Sequence, residues 1–312
     1  MTGVVPLLVA GTVAGLLGHR PLLWLGERRV DPTALLTGWL LTSVGLVVAT
    51  LASAALLAVP PHEHRSSGLF RLAGDCLAAI SAGSVPGGRE TLAGLGIATA
   101  TGVLARLTWV TRARVRARRE RAPHLDQLRL LAAQAPPDEP LWIRDDRPMA
   151  MSVGGRRGVI VMSDTLRRHL TPAAVAATLE HERAHLRGRH HLLMAIAQTL
   201  ATAFPVCPLL RRAPSAVEDL VELAADARAA RRCGPAAVRE ALSRLTGQPA
   251  PAVGLAMASR LVHVRLARLS TGPVSGRRLS RAAVCAAMAT GALLLPVAAG
   301  LSVLDVIGCV VA

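Results

Sequence analysis

The sequence predicts a mainly α protein that crosses a membrane several times and carries a basic α+β domain between its third and fourth spans. Three observations predict it. Of the 312 residues, 52% are hydrophobic and only 18% are charged, with a mean hydropathy of +0.42; soluble domains carry about a quarter charged residues. Uncharged stretches near the ~20 residues that a helix needs to cross a bilayer lie toward both ends. The charge sits between them, with 29 Arg against 14 acidic residues over 111–281. The apolar content excludes a disordered chain, and five scattered Cys exclude a disulfide scaffold.

The spans follow in order. Residues 3–19 form a short first span. The second, 33–59, is the clearest, inside a stretch free of Asp, Glu and Arg from 32 to 62. The third, 91–110, carries Arg106, whose long side chain is expected to snorkel to the headgroups. The fourth is 282–304. No basic leader with a small-residue cleavage site opens the chain, so no signal peptide is expected. Arg112, Arg114, Arg116, Arg118, Arg119 and Arg121 follow the third span, and Arg277, Arg278 and Arg281 precede the fourth. Arginines flank spans on the cytoplasmic side. The expected organisation is an N-terminal membrane region of three spans (1–110), a cytoplasmic domain (111–281) and a C-terminal span (282–312), in a plasma membrane. The N-terminus and the 60–90 loop are expected outside. With the chain ending at Ala312, no domain is expected beyond the last span. The 112–121 run reads as an anchor on anionic lipid. The lipid bilayer is therefore an expected partner, and direct nucleic-acid contact is not, since no nucleic-acid-binding signature accompanies the charge.

Inside the basic domain, 122–135 reads as a helix ending at Pro136-Pro137. Strand-like runs at 141–144, 149–153 and 158–162, separated by turn residues, predict a small antiparallel meander. Thr171 followed by Pro172 opens a helix. Ser215 and Glu218 form the ends of a capping box opening another, which stops at Gly234-Pro235. Further helices are expected at about 235–246 and 252–269.

The first of these helices carries His181-Glu182-Arg183-Ala184-His185, an H-E-x-x-H pattern. Four residues advance a helix by about 6 Å and just over a turn, so both imidazoles project from one face and can share a metal ion. Glu182 lies beside them, able to reach a water at the metal without being a ligand. Random placement of 10 His and 10 Glu gives this pattern in roughly 1% of such chains. A catalytic zinc takes three protein ligands and keeps a position open. Glu222 is the best third candidate, because it begins an E-x-x-x-D pattern on the next helix. Asp226, one turn on, can orient a ligating His. Glu180 reads as a solvated neighbour and Glu218 as the capping partner; His190 and His191 receive no role. The Cys residues lack ligand spacing. Residues 190–210 are uncharged and long enough for a span, yet a single crossing would part Glu222 from the two His. They are expected to form a long apolar helix, packed in the domain or dipping into the near leaflet and broken near Pro205 and Pro208.

At these residues the chain resembles the BlaR/MecR-type integral membrane zinc metallopeptidases, related to the CAAX-prenyl-protease and heat-shock HtpX peptidases. The resemblance rests on the three spans before the domain, Gly158–Asp164, Leu179–His185, the Pro205–Leu210 break and Glu222–Asp226. It is nearest to short actinobacterial members without the penicillin-binding sensor. It implies a cytoplasmic gluzincin-like α+β peptidase domain with one zinc ion per chain. His181, His185 and Glu222 would be zinc ligands, Glu182 the general base and acid, and Asp226 an outer residue orienting a ligand. It implies a protein or peptide substrate. In antibiotic-responsive members such a domain is implicated in inactivating a cytoplasmic transcriptional repressor, which adds that partner class. Two functions stay open at this point: a zinc endopeptidase, and a non-proteolytic membrane signal transducer with a structural metal. The intact Glu182 favours the first, since a structural site has no use for a base. The strand at 149–153 or 158–162 would align substrate. His263 and Arg265 are open candidates for stabilising the oxyanion.

Overall fold

A computed structural model describes residues 4–28, 30–58, 88–132, 139–155, 158–245 and 255–270. The first four helices are α1 (Val4–Leu17), α2 (His19–Glu27), α3 (Pro32–Ala58) and α4 (Gly88–Ala132). Three stretches within them are long and apolar enough to cross a membrane: Leu8–Glu27, Pro32–Ala58 and Ala93–Glu120. The first therefore runs further than the expected 3–19, through the α1–α2 joint at Gly18. Asp31 starts α3 by accepting from the backbone N–H of Thr33 (3.0 Å) and Ala34 (3.2 Å). Along α3, Thr37, Thr42, Thr50 and Ser53 each donate to the carbonyl four residues back. Their hydroxyls thus need no water, as an apolar surrounding requires. The fourth expected span, the Pro136-Pro137 break and the 60–90 loop up to the start of α4 lie outside the described residues.

α4 corrects one expectation of continuity: it is one helix of 45 residues, so 122–132 is helical as expected but continues the helix of the third span through Pro123, with no separate start at 122. It passes through residues 110 and 111 without a break. Arg106, expected to snorkel, instead donates to the carbonyls of Ala203 and Thr202, both at 3.4 Å. Arg114 donates to Gln198 Oε1 (3.1 Å), to the Gln198 carbonyl (3.0 Å) and to Thr202 Oγ1 (2.7 Å).

The sheet comprises β1 (Leu141–Ile143), β2 (Ala150–Val153) and β3 (Val159–Ser163) in the order β1-β3-β2. It is mixed, which corrects the expected antiparallel meander. β1 runs parallel to β3, with Trp142 opposite Met162, and β2 antiparallel, with Met151 opposite Val161. The reason lies in the 144–149 loop. Ser163 Oγ accepts from Met149 N–H (3.0 Å) and donates to the Arg147 carbonyl (2.8 Å). The loop is thereby folded over the end of β3 and carries the chain from one of its flanks to the other.

Six helices follow: α5 (Thr165–His169), α6 (Pro172–Arg187), α7 (His190–Ala203), α8 (Pro208–Cys233), α9 (Pro235–Leu245) and α10 (Leu255–Ser270). Thr171 caps α6 as expected, accepting from Ala174 N–H at 3.3 Å. Glu240 of α9 holds the same threonine through its hydroxyl at 2.8 Å. α8 stops where expected, at Gly234 with φ +84°, a conformation that suits glycine. Its start is a correction: the helix begins at Pro208, and Ser215 and Glu218 lie in its interior. Ser215 Oγ donates to the Arg212 carbonyl at 3.1 Å, so no capping box forms. The earlier start is held by packing. Leu209, Leu210, Ala213, Val217, Leu220 and Val221 recur at helical spacing and pack with Leu35, Leu36, Trp39, Leu46 and Val47 of α3.

Residues 190–210 form no single crossing. α7 has 14 residues, about 21 Å long at 1.5 Å per residue, against a hydrocarbon core of about 30 Å. The chain reverses over 204–207 and α8 returns beside α7, with Ala197 and Leu200 in the same cluster. At the tip of this hairpin Cys207 Sγ donates to the Gly15 carbonyl of α1 at 3.5 Å. Val206 there is 89% exposed.

Candidate metal centre

α6 and α8 pack side by side, and small residues permit their close approach: Ala177 and Ala229 share one buried cluster. On the facing sides stand His181 and His185, one turn apart on α6, and Glu222 on α8. The Nε2 atoms of the two imidazoles are 3.0 Å apart. Glu222 reaches His181 Nε2 at 3.4 Å and His185 Nε2 at 3.3 Å. The three donor atoms all lie within 4.8 Å of one another.

A second layer fixes the rings. His181 Nδ1 lies 2.9 Å from Asp226 Oδ1, so Nδ1 carries the hydrogen and Nε2 turns toward Glu222. His185 Nδ1 lies 2.9 Å from His190 Nδ1. With Nδ1–H of His185 donating there, its Nε2 lone pair also faces the centre. Arg265 of α10 grips Asp226 with two bonds, Nε at 2.6 Å and Nη2 at 2.7 Å, and places Nη1 3.0 Å from Glu222 Oε2. His190 enters because the chain turns sharply after α6. A side chain at Gly188 would collide with the His190 ring, and Arg189 adopts φ +48°.

The donor set fits a divalent cation. Two imidazole nitrogens and a carboxylate are the ligand types of hydrolytic zinc sites, and two facing lone pairs repel unless a positive charge lies between them. In the metal-free protein a proton supplies that charge. Burial disfavours charged His181, but the hydrogen bonds it donates to Asp226 and Glu222 outweigh it and raise its pKa to about 9. Burial likewise opposes ionised Glu222, yet its bonds to His181 and His185 hold it far below the usual carboxylate range. Burial, and then the charge of His185, push His190 down to about 4, so it stays neutral. Metal uptake at neutral pH must displace the His181 proton, a competition that fades as pH rises through about 9.

A model of peptidase family M48 matches residues 128–284, just over half of the chain. The chain belongs to this family. No curated protein and no solved structure matches it. Membership in M48 makes it a metallopeptidase by descent, and the matched region contains α6, α8 and α10.

Within the M48 region the structure brings His181, His185, Glu222 and Asp226 together as the sequence placed them. Glu182 is partly buried and stands outside the ligand set, close enough for its charge to act on Arg265. Of the two oxyanion candidates, Arg265 enters the site and is occupied by both carboxylates, whereas His263 is exposed. Glu180 is not a solvated bystander: it pairs with Arg183 at 2.8 Å and Arg187 at 3.6 Å. His190 is the site residue that spacing did not reveal, and the R-G-R turn before it was the one available signal. Asp226→Asn should weaken zinc binding by about 10- to 100-fold, because it removes the charge that sets the His181 tautomer and partners Arg265. Competition with a chelating dye measures this, and an unchanged affinity would dismiss the role.

Proposed function

We propose that this M48 chain is a membrane-embedded, zinc-dependent endopeptidase that hydrolyses peptide bonds on the cytoplasmic side. The observation that carries the reading is the convergence of His181 Nε2, His185 Nε2 and a Glu222 carboxylate oxygen, with Glu182 beside them and not among them. His181, His185 and Glu222 would hold the ion, which when bound supplies Lewis acidity toward water and the scissile carbonyl. Glu182 takes the proton of the attacking water and returns it to the departing amide nitrogen. Asp226 and His190 keep the two imidazoles turned inward, and Arg265 keeps Asp226 and Glu222 ionised.

Substrate alignment falls to β2. β3 is central, buried and paired on both sides, so 158–162 has no backbone edge to offer. β2 lies at the edge, with Met151 partly open, and packs on α6. An extended peptide laid along it would gain main-chain bonds on the strand that packs against the helix carrying His181 and His185.

The division into a membrane region (1–110), a peptidase domain (111–281) and a last span (282–312) belongs to the same proposal, as does the cytoplasmic placement, argued from the flanking arginines. The resemblance to BlaR/MecR-type peptidases is what would make a transcriptional repressor the substrate. The test is direct. The purified full chain should cleave a mixed peptide library, lose that activity when a chelator strips the metal, and regain it with one equivalent of zinc. Undiminished cleavage by stripped protein would sink the proposal.

A further inference from the structure

A cleft of about 680 Å³ opens between α2 and the start of α8, with none of His181, His185 and Glu222 in its lining. Three of its lining residues are the exposed arginines Arg20, Arg211 and Arg212. Among the described residues none of the three has a carboxylate within ion-pair distance, and Glu27 is the one acid in the lining. Beneath them lies His19, 5% exposed, whose Nδ1 has no hydrogen-bond partner. A buried polar nitrogen without a partner is costly unless a ligand completes it. The start of α8 adds the positive end of a 26-residue helix with no acidic residue in its first turn. The polar part of the lining, three arginines and His19 against one glutamate, thus favours an anion.

The other half of the lining identifies the anion's source. Leu16 is 52%, Leu23 44% and Trp24 49% exposed, Leu16 in the middle and Leu23 and Trp24 near the end of the stretch Leu8–Glu27 that can cross a membrane. Trp24 is a typical residue of the membrane–water interface, and Arg28 stacks on its ring at 3.9 Å. A free phosphate has no use for an apolar rim, whereas acyl chains do.

We propose that this cleft binds the headgroup of one anionic phospholipid, the phosphodiester lying among Arg20, Arg211, Arg212 and His19 and the acyl chains running along Leu16 toward the middle of the stretch, with Leu23 and Trp24 at the interface. The lipid would bridge α2 to α8, the helix that carries Glu222. This inference rests on the placement of the spans and not on the peptidase reading; its readout needs neither zinc nor cleavage.

Native mass spectrometry of the full chain in mild detergent, with phosphatidylglycerol and phosphatidylcholine at equal concentration, tests it. Wild type should retain one phosphatidylglycerol. The triple variant Arg20→Gln, Arg211→Gln, Arg212→Gln should bind it on the order of 100-fold more weakly, from about fivefold per arginine at a lipid surface. All three side chains are exposed, so the fold should survive. A control with the same charge loss outside both the cleft and the 112–121 run, at the exposed arginines Arg231→Gln, Arg232→Gln, Arg239→Gln, should bind like wild type. Equal loss in the control would mean diffuse attraction and would overturn the site. So would equal retention of the two lipids, or displacement of the lipid by inorganic phosphate at the same concentration.

Discussion

Glu182→Gln should lower kcat by about 100- to 10,000-fold, the usual contribution of a general base, while leaving one zinc per chain. The separation is built into α6. His181 and His185 converge with Glu222 of α8 on the candidate metal position, and the amide of a glutamine changes none of those contacts. What it removes is the ability to take a proton from water. Metal analysis and a peptide-cleavage assay on the same preparation check both halves. Full activity in the variant would refute the mechanism. Loss of activity together with loss of zinc would instead make Glu182 a structural residue. Should the variant lose cleavage yet sustain the chain's role in cells, the non-proteolytic transducer becomes the better reading.

Glu222→Ala should abolish both zinc binding and activity. Glu222 is the only one of the three expected ligands on α8, and it meets both imidazoles and Arg265. Without it the cation keeps two neutral donors and faces the Arg265 guanidinium across the gap. The protein itself should still fold, since Arg265 retains its two bonds to Asp226. The measurement is the thermal shift on adding zinc: a clear rise in Tm for wild type, none for the variant. Wild-type zinc affinity in Glu222→Ala would remove the third ligand from the proposal.

What the sequence disclosed follows from how local each signal is. His181 and His185 needed only a helix, and Thr171-Pro172 announced one, so half of the site was readable within fifteen residues. Glu222 and Asp226 were found by their own spacing, although the helix that bears them begins seven residues before the capping signal. That start is set by contacts of Leu209 and Leu210 with α3, more than 150 residues away, and no local pattern records them. The sheet order escaped for a similar reason. Ser163 reaches back to Arg147 and Met149 across a loop whose residues read as an ordinary turn. Arg106 read as a membrane-edge residue because its partners, the last carbonyls of α7, come from 96 and 97 positions on. His190 was invisible because its relation to His185 depends on a turn, not on a helical repeat.

The hairpin of α7 and α8 has a mechanical consequence. From its tip against Gly15 to Glu222 there are about 14 helical residues, a strut of roughly 21 Å. A blade on a loose stalk could sweep a wide volume, but here the stalk is wedged among the apolar helices themselves. On the peptidase reading proposed above, with these helices in a bilayer, the strut would act as a ruler, fixing the distance between the level of Gly15 and the plane in which a chain is cut. Segments passing at that height would be within reach, whatever their side chains.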